Sequence, residues 1–230
     1  IQKDIICDYK IVLLKNTIDE IELIARKYQI DVNNSTLNLF LSAYMTLKSL
    51  LDCENLTHIF CYTNDTKNAN KVNEYIKLLL DKSVFDINPT DIYHRSLNSK
   101  GKFDIEEEIS NFKNHKYGII SCVYLFGEGF DCPELNGTVF CENMTSEIRI
   151  IQSMTRCMRK NNNFKDKQGY IILPFLDKDE WNDESESFQK IRNIIYHIRN
   201  NDSNINQKII INHKNNNPDP EPRGPTRTEK

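Results

Sequence analysis

Two short segments of the sequence carry residues whose types and spacing suit phosphate chemistry. The first is a glycine–glutamate–glycine turn that ends in an Asp-x-Pro step, over residues 127–133. The second, further along the chain, places side chains three, four and three residues apart: Arg149, Gln152, Arg156 and Arg159. At about 100° per residue of helix, these four side chains fall within an arc of roughly 80°. Guanidinium groups are planar, permanently charged and bidentate, so this face is predicted to contact phosphate.

The same helix would bury its opposite side, which carries Ile150, Ile151, Met154, Cys157 and Met158. Each segment alone also has a simpler interpretation. Pairs of glycines mark many turns and bulges, and arginines along one helix face are most often only solvated. The occurrence of both segments, in this order, favours the functional interpretation.

These segments need a scaffold, and the remaining sequence predicts one. Amphipathic helices alternate with apolar strands, which are expected at residues 10–14, 57–62, 91–93, 117–123, 138–141 and 170–173. This alternation predicts an α/β fold of three layers with a mostly parallel sheet. Functional groups usually gather at the carboxyl ends of parallel strands, so both segments are expected at that edge.

Together the two segments resemble motifs V and VI of the second RecA-like lobe of superfamily 2 helicases and translocases. Gln152, Arg156 and Arg159 match motif VI in register, while Thr155 stands where the family usually has glycine. The resemblance extends to motif IV, to the linker that leads out of the first lobe, and to the segment before motif V, at residues 58–64, 8–11 and 93–97. The motif variants are similar to those of restriction-type and DNA-repair motors among the DEAD/DEAH-like helicases.

The resemblance implies an inter-lobe linker at residues 1–9, a RecA-like lobe of the P-loop NTPase type at 10–211, and a polar tail or linker at 212–230. The polar composition of that tail predicts disorder. The sequence lacks a G-x-x-x-x-G-K-[ST] loop, so ATP with Mg would be held mainly by a first lobe. This lobe alone would then be inactive.

Site residues follow from the same resemblance. Arg156 and Arg159 would act as arginine fingers on the γ-phosphate. Asp131 would touch the ribose or pair with one of these arginines. The other residues implied to face the nucleotide or the adjoining lobe are Gln152, Gly127, Glu128 and Gly129.

The resemblance also implies a grip on the sugar–phosphate backbone of single-stranded or duplex nucleic acid, with DNA favoured. The residues that would contact it are Thr63, Asn64, His94, Arg95 and Ser121. Backbone contacts position a protein without specifying sequence. Two of these residues have an alternative interpretation, Thr63 as a helix-start residue and His94 as a local hydrogen-bonding residue.

Composition limits these hypotheses. A net charge of −3 and a pI near 6.0 give no overall basic signature, so nucleic-acid binding would need a local track. The cysteines form no C-x-x-C pair, which favours buried thiols in a reducing, intracellular compartment over a metal site. No apolar run reaches the ~18–20 residues that span a membrane. The alternative function is a non-catalytic nucleic-acid-binding or assembly module derived from a helicase lobe.

Overall fold

The computed structural model describes residues 7–98, 101, 103–123, 132–161, 164, 166–177, 189, 193–194, 196–197 and 209–212. The strands within these residues are β1 (Asp8–Thr17), β2 (His58–Tyr62), β3 (Ile92–Leu97), β4 (Tyr117–Cys122), β5 (Gly137–Phe140), β6 (Gln168–Asp177) and β7 (Ile209–Asn212). The α-helices are α1 (Ile18–Lys27), α2 (Leu37–Asp52), α3 (Thr66–Asp81), α4 (Ile105–Asn114) and α5 (Glu147–Cys157). The predicted disordered tail falls almost wholly outside the described residues.

The strands form one sheet in the order β3-β4-β2-β5-β6-β1-β7. Every pairing between these strands is parallel, as the alternation of apolar strands and helices predicts. β1 begins at Asp8, two residues before the predicted start of the lobe, and pairs with β6 along its whole length. On its other side β1 pairs with β7, a strand that the sequence analysis did not anticipate.

The sheet has an apolar core on each face. In β2, Ile59 and Cys61 point into one core, while Phe60 and Tyr62 point into the other, because side chains alternate along a strand. Buried residues of α1, α2 and α3 pack in the first core. Buried residues of α4 and α5 pack in the second. The predicted three-layer α/β architecture is therefore confirmed.

Local hydrogen bonds explain where several helices begin. Thr17 and Glu20 form a capping box at the start of α1, each side chain accepting from the other's main-chain N–H. Asp65 caps α3 by accepting from the N–H of Asn68, at a position that the sequence marked as a cap. In the described part of the chain, no helix is long and apolar enough to cross a membrane.

Because all these strands run in one direction, the sheet has an amino edge, where strands begin, and a carboxyl edge, where they end. Asn136 fixes the amino edge. Its Oδ1 accepts from the main-chain N–H groups of Thr57 (3.1 Å) and His58 (3.0 Å), and its Nδ2 donates to the carbonyl of Asn55 (2.7 Å). The main-chain N–H of Tyr170 donates to the Asn136 carbonyl (2.8 Å). One side chain and its backbone thus tie the starts of β2, β5 and β6 together.

Candidate functional site

Helix α5 carries the motif VI residues to the amino edge of the sheet. It starts after β5 has reached the carboxyl edge, and its 11 residues span about 16 Å on the way back. Just past its end, the carbonyl of Met158 accepts from the N–H of Cys7, next to the start of β1 (2.6 Å). The expectation that both motifs lie at the carboxyl edge is therefore wrong for motif VI, because the helix returns the chain to the opposite edge.

The arginines of motif VI do not share one exposed face. α5 ends at Cys157, so Arg159 lies beyond the helix and the arc expected for four side chains no longer includes it. Arg156 is only 7% exposed and packs on the buried side of the helix, while Arg149 is exposed. Position 156 lies at the margin of the buried arc, and the aliphatic stem of an arginine can be buried there.

The buried guanidinium of Arg156 meets the hydroxyl of Tyr62, which lies at the end of β2. Nη1 of Arg156 donates to that hydroxyl over 3.4 Å. Burial raises the pKa of Tyr62 above its ordinary value, and the positive charge of Arg156 opposes part of that rise. The pair therefore joins α5 to the centre of the sheet.

Arg159 is half-buried, and its main chain is held at two points. Its N–H donates to the carbonyl of Arg156 (3.4 Å), and its own carbonyl accepts from Nζ of Lys167 (2.6 Å). The same Nζ donates to the carbonyl of Pro133 (2.8 Å), the last residue of the motif V segment. The structure therefore brings the end of motif V next to the end of motif VI.

The turn of motif V itself lies outside the described residues, so the predicted positions of Gly127, Glu128, Gly129 and Asp131 are not described. The chain is described again from Cys132, which is buried, and burial raises the pKa of its thiol to about 11. Cys132 and Leu135 form a turn that leads into β5 at the amino edge. The described end of motif V thus lies at the same edge as Arg159.

A cleft of about 750 Å³ opens at the amino edge, next to the segment that follows Arg159. Its lining includes two lysines, two aromatic rings and three acidic residues, namely Lys160, Lys167, Phe164, Tyr170, Asp8, Glu54 and Asp166. Phe164 is 64% exposed. The sequence analysis singled out neither of the two lysines nor Phe164, because no motif or periodicity marks them. Among the described residues, no group of three or more His, Cys, Asp or Glu side chains could hold a metal ion.

Two of the predicted nucleic-acid residues follow β2 at the carboxyl edge. Asn64 is exposed, with its N–H donating to the Glu142 carboxylate (2.8 Å) and its Nδ2 donating to the carbonyl of Asn143 (3.1 Å). Thr63 is buried, and its hydroxyl donates to the carbonyl of Asp65 (2.9 Å) at the start of α3. The geometry of Thr63 fits the alternative role of a helix-start residue.

The other three predicted nucleic-acid residues lie apart from Asn64. His94 points towards α3, where its Nδ1 is 3.0 Å from Oδ1 of Asn73, and burial lowers its pKa. Arg95 points to the opposite face of β3, with Nε 3.6 Å from Oε1 of Glu108. Ser121 is fully buried within β4, so its hydroxyl could meet a phosphate only if the strand opened. The structure therefore does not gather the five residues into one surface.

Comparison with known proteins identifies the family and the fold. The family model described as the helicase conserved C-terminal domain matches residues 42–161, slightly more than half of the chain. The segment includes motifs IV, V and VI. A search of curated proteins found no significant match.

Solved structures give the fold. The ATP-dependent Type ISP restriction-modification enzyme LlaBIII bound to DNA superposes with a TM-score of 0.70 and 17% identity, covering 91% of this chain and 16% of that one. A fragment of a putative HsdR subunit of a type I restriction enzyme from Vibrio vulnificus YJ016 gives a TM-score of 0.50 and 16% identity, covering 73% and 32%. The chain thus spans less than a third of either relative's length. With its RecA-like sheet and the family-model match over more than half of its length, the chain belongs to the helicase conserved C-terminal domain family.

Proposed function

We propose that this chain is the C-terminal motor lobe of an ATP-dependent helicase or translocase, and that it completes an ATP site formed with a first lobe. The observation that carries the proposal is the convergence of motifs V and VI at the amino edge, where Lys167 contacts both Pro133 and Arg159. The lobe would span residues 10–211, with residues 1–9 as the inter-lobe linker and 212–230 as a polar tail.

The residues of this chain fit only part of an ATP·Mg site. The sequence lacks a phosphate-binding loop, and the described residues offer no set of metal ligands. The proposal therefore assigns Mg²⁺ and most phosphate contacts to the first lobe. When bound there, Mg²⁺ neutralises negative charge on the phosphates. The contribution of this chain is positive charge at the amino edge, from Arg159 and from the more buried Arg156.

Arg159 is the stronger candidate for the arginine finger. It lies past the end of α5 and is half-buried, and its backbone is held from both sides, so its side chain can be presented from a fixed position. A guanidinium placed in advance stabilises charge that grows on the phosphate in the transition state. Arg156 would help to fix the position of Arg159, because its contact with Tyr62 holds the end of α5 on the sheet. Gln152 is half-buried on the same helix and, with the motif V residues, would face the nucleotide.

The nucleic-acid contact is proposed at the carboxyl edge of the sheet, whereas Arg156 and Arg159 lie towards the amino edge. Asn64 is the best placed residue, because it is exposed next to the start of α3, where a phosphate would replace Glu142 and Asn143 as the acceptors of its N–H groups. DNA is the favoured partner, because the restriction enzyme that superposes with a TM-score of 0.70 was solved bound to DNA. Nucleic acid would bind at the carboxyl edge, and ATP would be hydrolysed at the amino edge. Closure of the two lobes would then move the protein along the DNA strand.

The test replaces Arg159 in the full-length protein. Arg159→Ala is expected to reduce ATP turnover by on the order of 10³–10⁵ while leaving nucleotide binding largely intact, because the side chain acts mainly on the transition state. Arg159→Lys should restore little, since a point charge cannot reproduce the bidentate fork. Arg26→Ala is the matched control, because Arg26 is an exposed arginine on α1 that pairs with Glu22.

Steady-state hydrolysis and nucleotide-binding titrations on these variants decide the matter. Near-normal hydrolysis by Arg159→Ala in the presence of nucleic acid would contradict the finger assignment. If the unmodified full-length protein binds nucleic acid but never hydrolyses ATP, the alternative of a non-catalytic module replaces the proposal.

A further inference from the structure

Lys167 occupies a position that none of the motifs explains. It immediately precedes β6, whose first residue, Gln168, is paired with Asp8 of β1. Its Nζ lies 2.8 Å from the carbonyl oxygen of Pro133 and 2.6 Å from that of Arg159. These two acceptors are distant in sequence, and each is the last residue of one of the two motifs. A single ammonium group therefore connects both motifs to the sheet.

Lys167 is not a merely solvated surface lysine, because its ammonium group is bonded to two main-chain carbonyls. The side chain is partly buried, and burial lowers its pKa. The charged group nearby that favours the ammonium is the carboxylate of Glu134, which also pairs with Lys113. Burying an ammonium costs free energy unless its donors are satisfied. Here two main-chain carbonyls accept from two of its three N–H donors, so the lysine and the two backbone segments stabilise one another.

The anchor of this contact is rigid. β6 is bound on one side to β1 and on the other to β5, and the carbonyl of Asn136 accepts from the N–H of Tyr170 (2.8 Å). The end of α5 also packs closely on β6, since a Cβ at Gly169 would lie 3.2 Å from the carbonyl oxygen of Cys157. Several contacts near the end of α5 therefore oppose movement of Arg159 relative to the sheet. Among these contacts, the one made by Lys167 also reaches motif V.

We propose that Lys167 is a positioning residue that fixes the backbone of Arg159 relative to the end of motif V, so that both motifs meet the nucleotide in register. This inference rests on the proposed function of Arg159. Lys167 acts through the two carbonyls and does not touch the phosphate. Its loss should therefore reduce turnover, because small displacements of a catalytic group are costly, while nucleotide affinity changes little.

The first measurement compares Lys167→Met with the unmodified full-length protein. Methionine keeps an unbranched apolar stem but donates no hydrogen bond, so kcat for ATP hydrolysis should fall by up to about 10²-fold with KM nearly unchanged. Lys116→Met is the matched control, because Lys116 is an exposed lysine just before β4 at the same edge of the sheet. Its kcat should equal that of the unmodified protein. Unchanged kcat in Lys167→Met would overturn the proposal.

The second measurement separates positioning from a general structural role. In an Arg159→Ala background, Lys167→Met should cause almost no further loss of kcat, because the residue through which it acts is already gone. An equal further loss in that background would mean that Lys167 acts independently of Arg159, and the proposal would fail. If Arg159→Ala itself hydrolyses ATP normally, the proposed function fails instead, so the two failures are distinguishable.

Thermal melting of each variant provides the folding control. If Lys167→Met does not fold, Lys167→Gln takes its place, because a shorter neutral amide cannot reach both carbonyls. A folded Lys167→Gln protein with reduced kcat and nearly unchanged KM supports the positioning role. A folded Lys167→Gln protein with the kcat of the unmodified enzyme overturns it.

Discussion

The burial of Arg156 separates the two motif VI arginines by what each can contribute. Arg156 is 7% exposed and bonded to Tyr62, whereas Arg159 lies beyond the helix with more of its surface accessible. The guanidinium of Arg156, on the buried face of α5, helps to hold that helix on the sheet. Its replacement should therefore affect stability as well as activity, while replacement of Arg159 should affect mainly activity.

Arg156→Ala should lower the free energy of unfolding by about 1–3 kcal/mol, because it removes a buried donor and leaves the hydroxyl of Tyr62 without that partner. Arg159→Ala should leave the free energy of unfolding almost unchanged. Urea denaturation of this chain, followed by circular dichroism, measures both variants under the same conditions. Equal stability of the two variants would contradict the structural role of Arg156.

Spacing in the sequence predicted the arginine helix but not its end. No glycine or proline lies between Cys157 and Arg159, so nothing in the residue pattern marked the helix end before Arg159. Thr155, at the usual glycine position, is accommodated within the helix by donating its hydroxyl to the carbonyl of Gln152 (3.1 Å). Lys167 was missed because its partners are main-chain carbonyls, which leave no trace in residue types.

At the scale of elements, the alternation of strands and helices was predictable because each strand is a short apolar run bounded by polar residues. β7 was missed, because its apolar run is short and lies close to the polar tail. The edge at which motif VI lies was also missed. The prediction assumed that functional residues lie at the carboxyl ends of parallel strands. Motif VI instead ends at the far end of α5, the helix that follows β5.

Asn136 offers a test of how the amino edge is held together. Asn136→Ala should lower the free energy of unfolding by about 1–3 kcal/mol, because it leaves the N–H groups of Thr57 and His58 without their side-chain acceptor. Asn114→Ala, at the exposed end of α4, is the matched control and should change stability little. Chemical denaturation of the three proteins provides the comparison, and similar midpoints for all three would contradict the role of Asn136.

At the scale of the whole molecule, the two edges proposed to bind nucleotide and nucleic acid are separated by the length of the strands. The five residues of β2 alone span about 16 Å between them. The packed cores on both faces make the sheet a rigid connection. Events at the arginine edge would therefore reach the nucleic-acid edge by movement of the lobe as a body.

The chain alone should bind nucleic acid weakly, with little base preference and with affinity that falls as salt rises. The reason is that the proposed contacts are to phosphates and the net charge of −3 supplies no general attraction. Titration of labelled oligonucleotides at several salt concentrations measures this. Tight, salt-insensitive or base-selective binding would contradict the proposed carboxyl-edge contact.

The place of β1 in the sheet also bears on how the protein is made. β1 is the first strand of the described chain, yet its neighbours are β6 and β7, which are synthesised after every other strand. Until β6 has been synthesised, β1 therefore has neither of its partners. Pairings between such distant segments are slow to form and leave apolar residues exposed in the meantime. Ile11 and Val12, which are buried in the folded lobe, would lack their sheet neighbours during that interval.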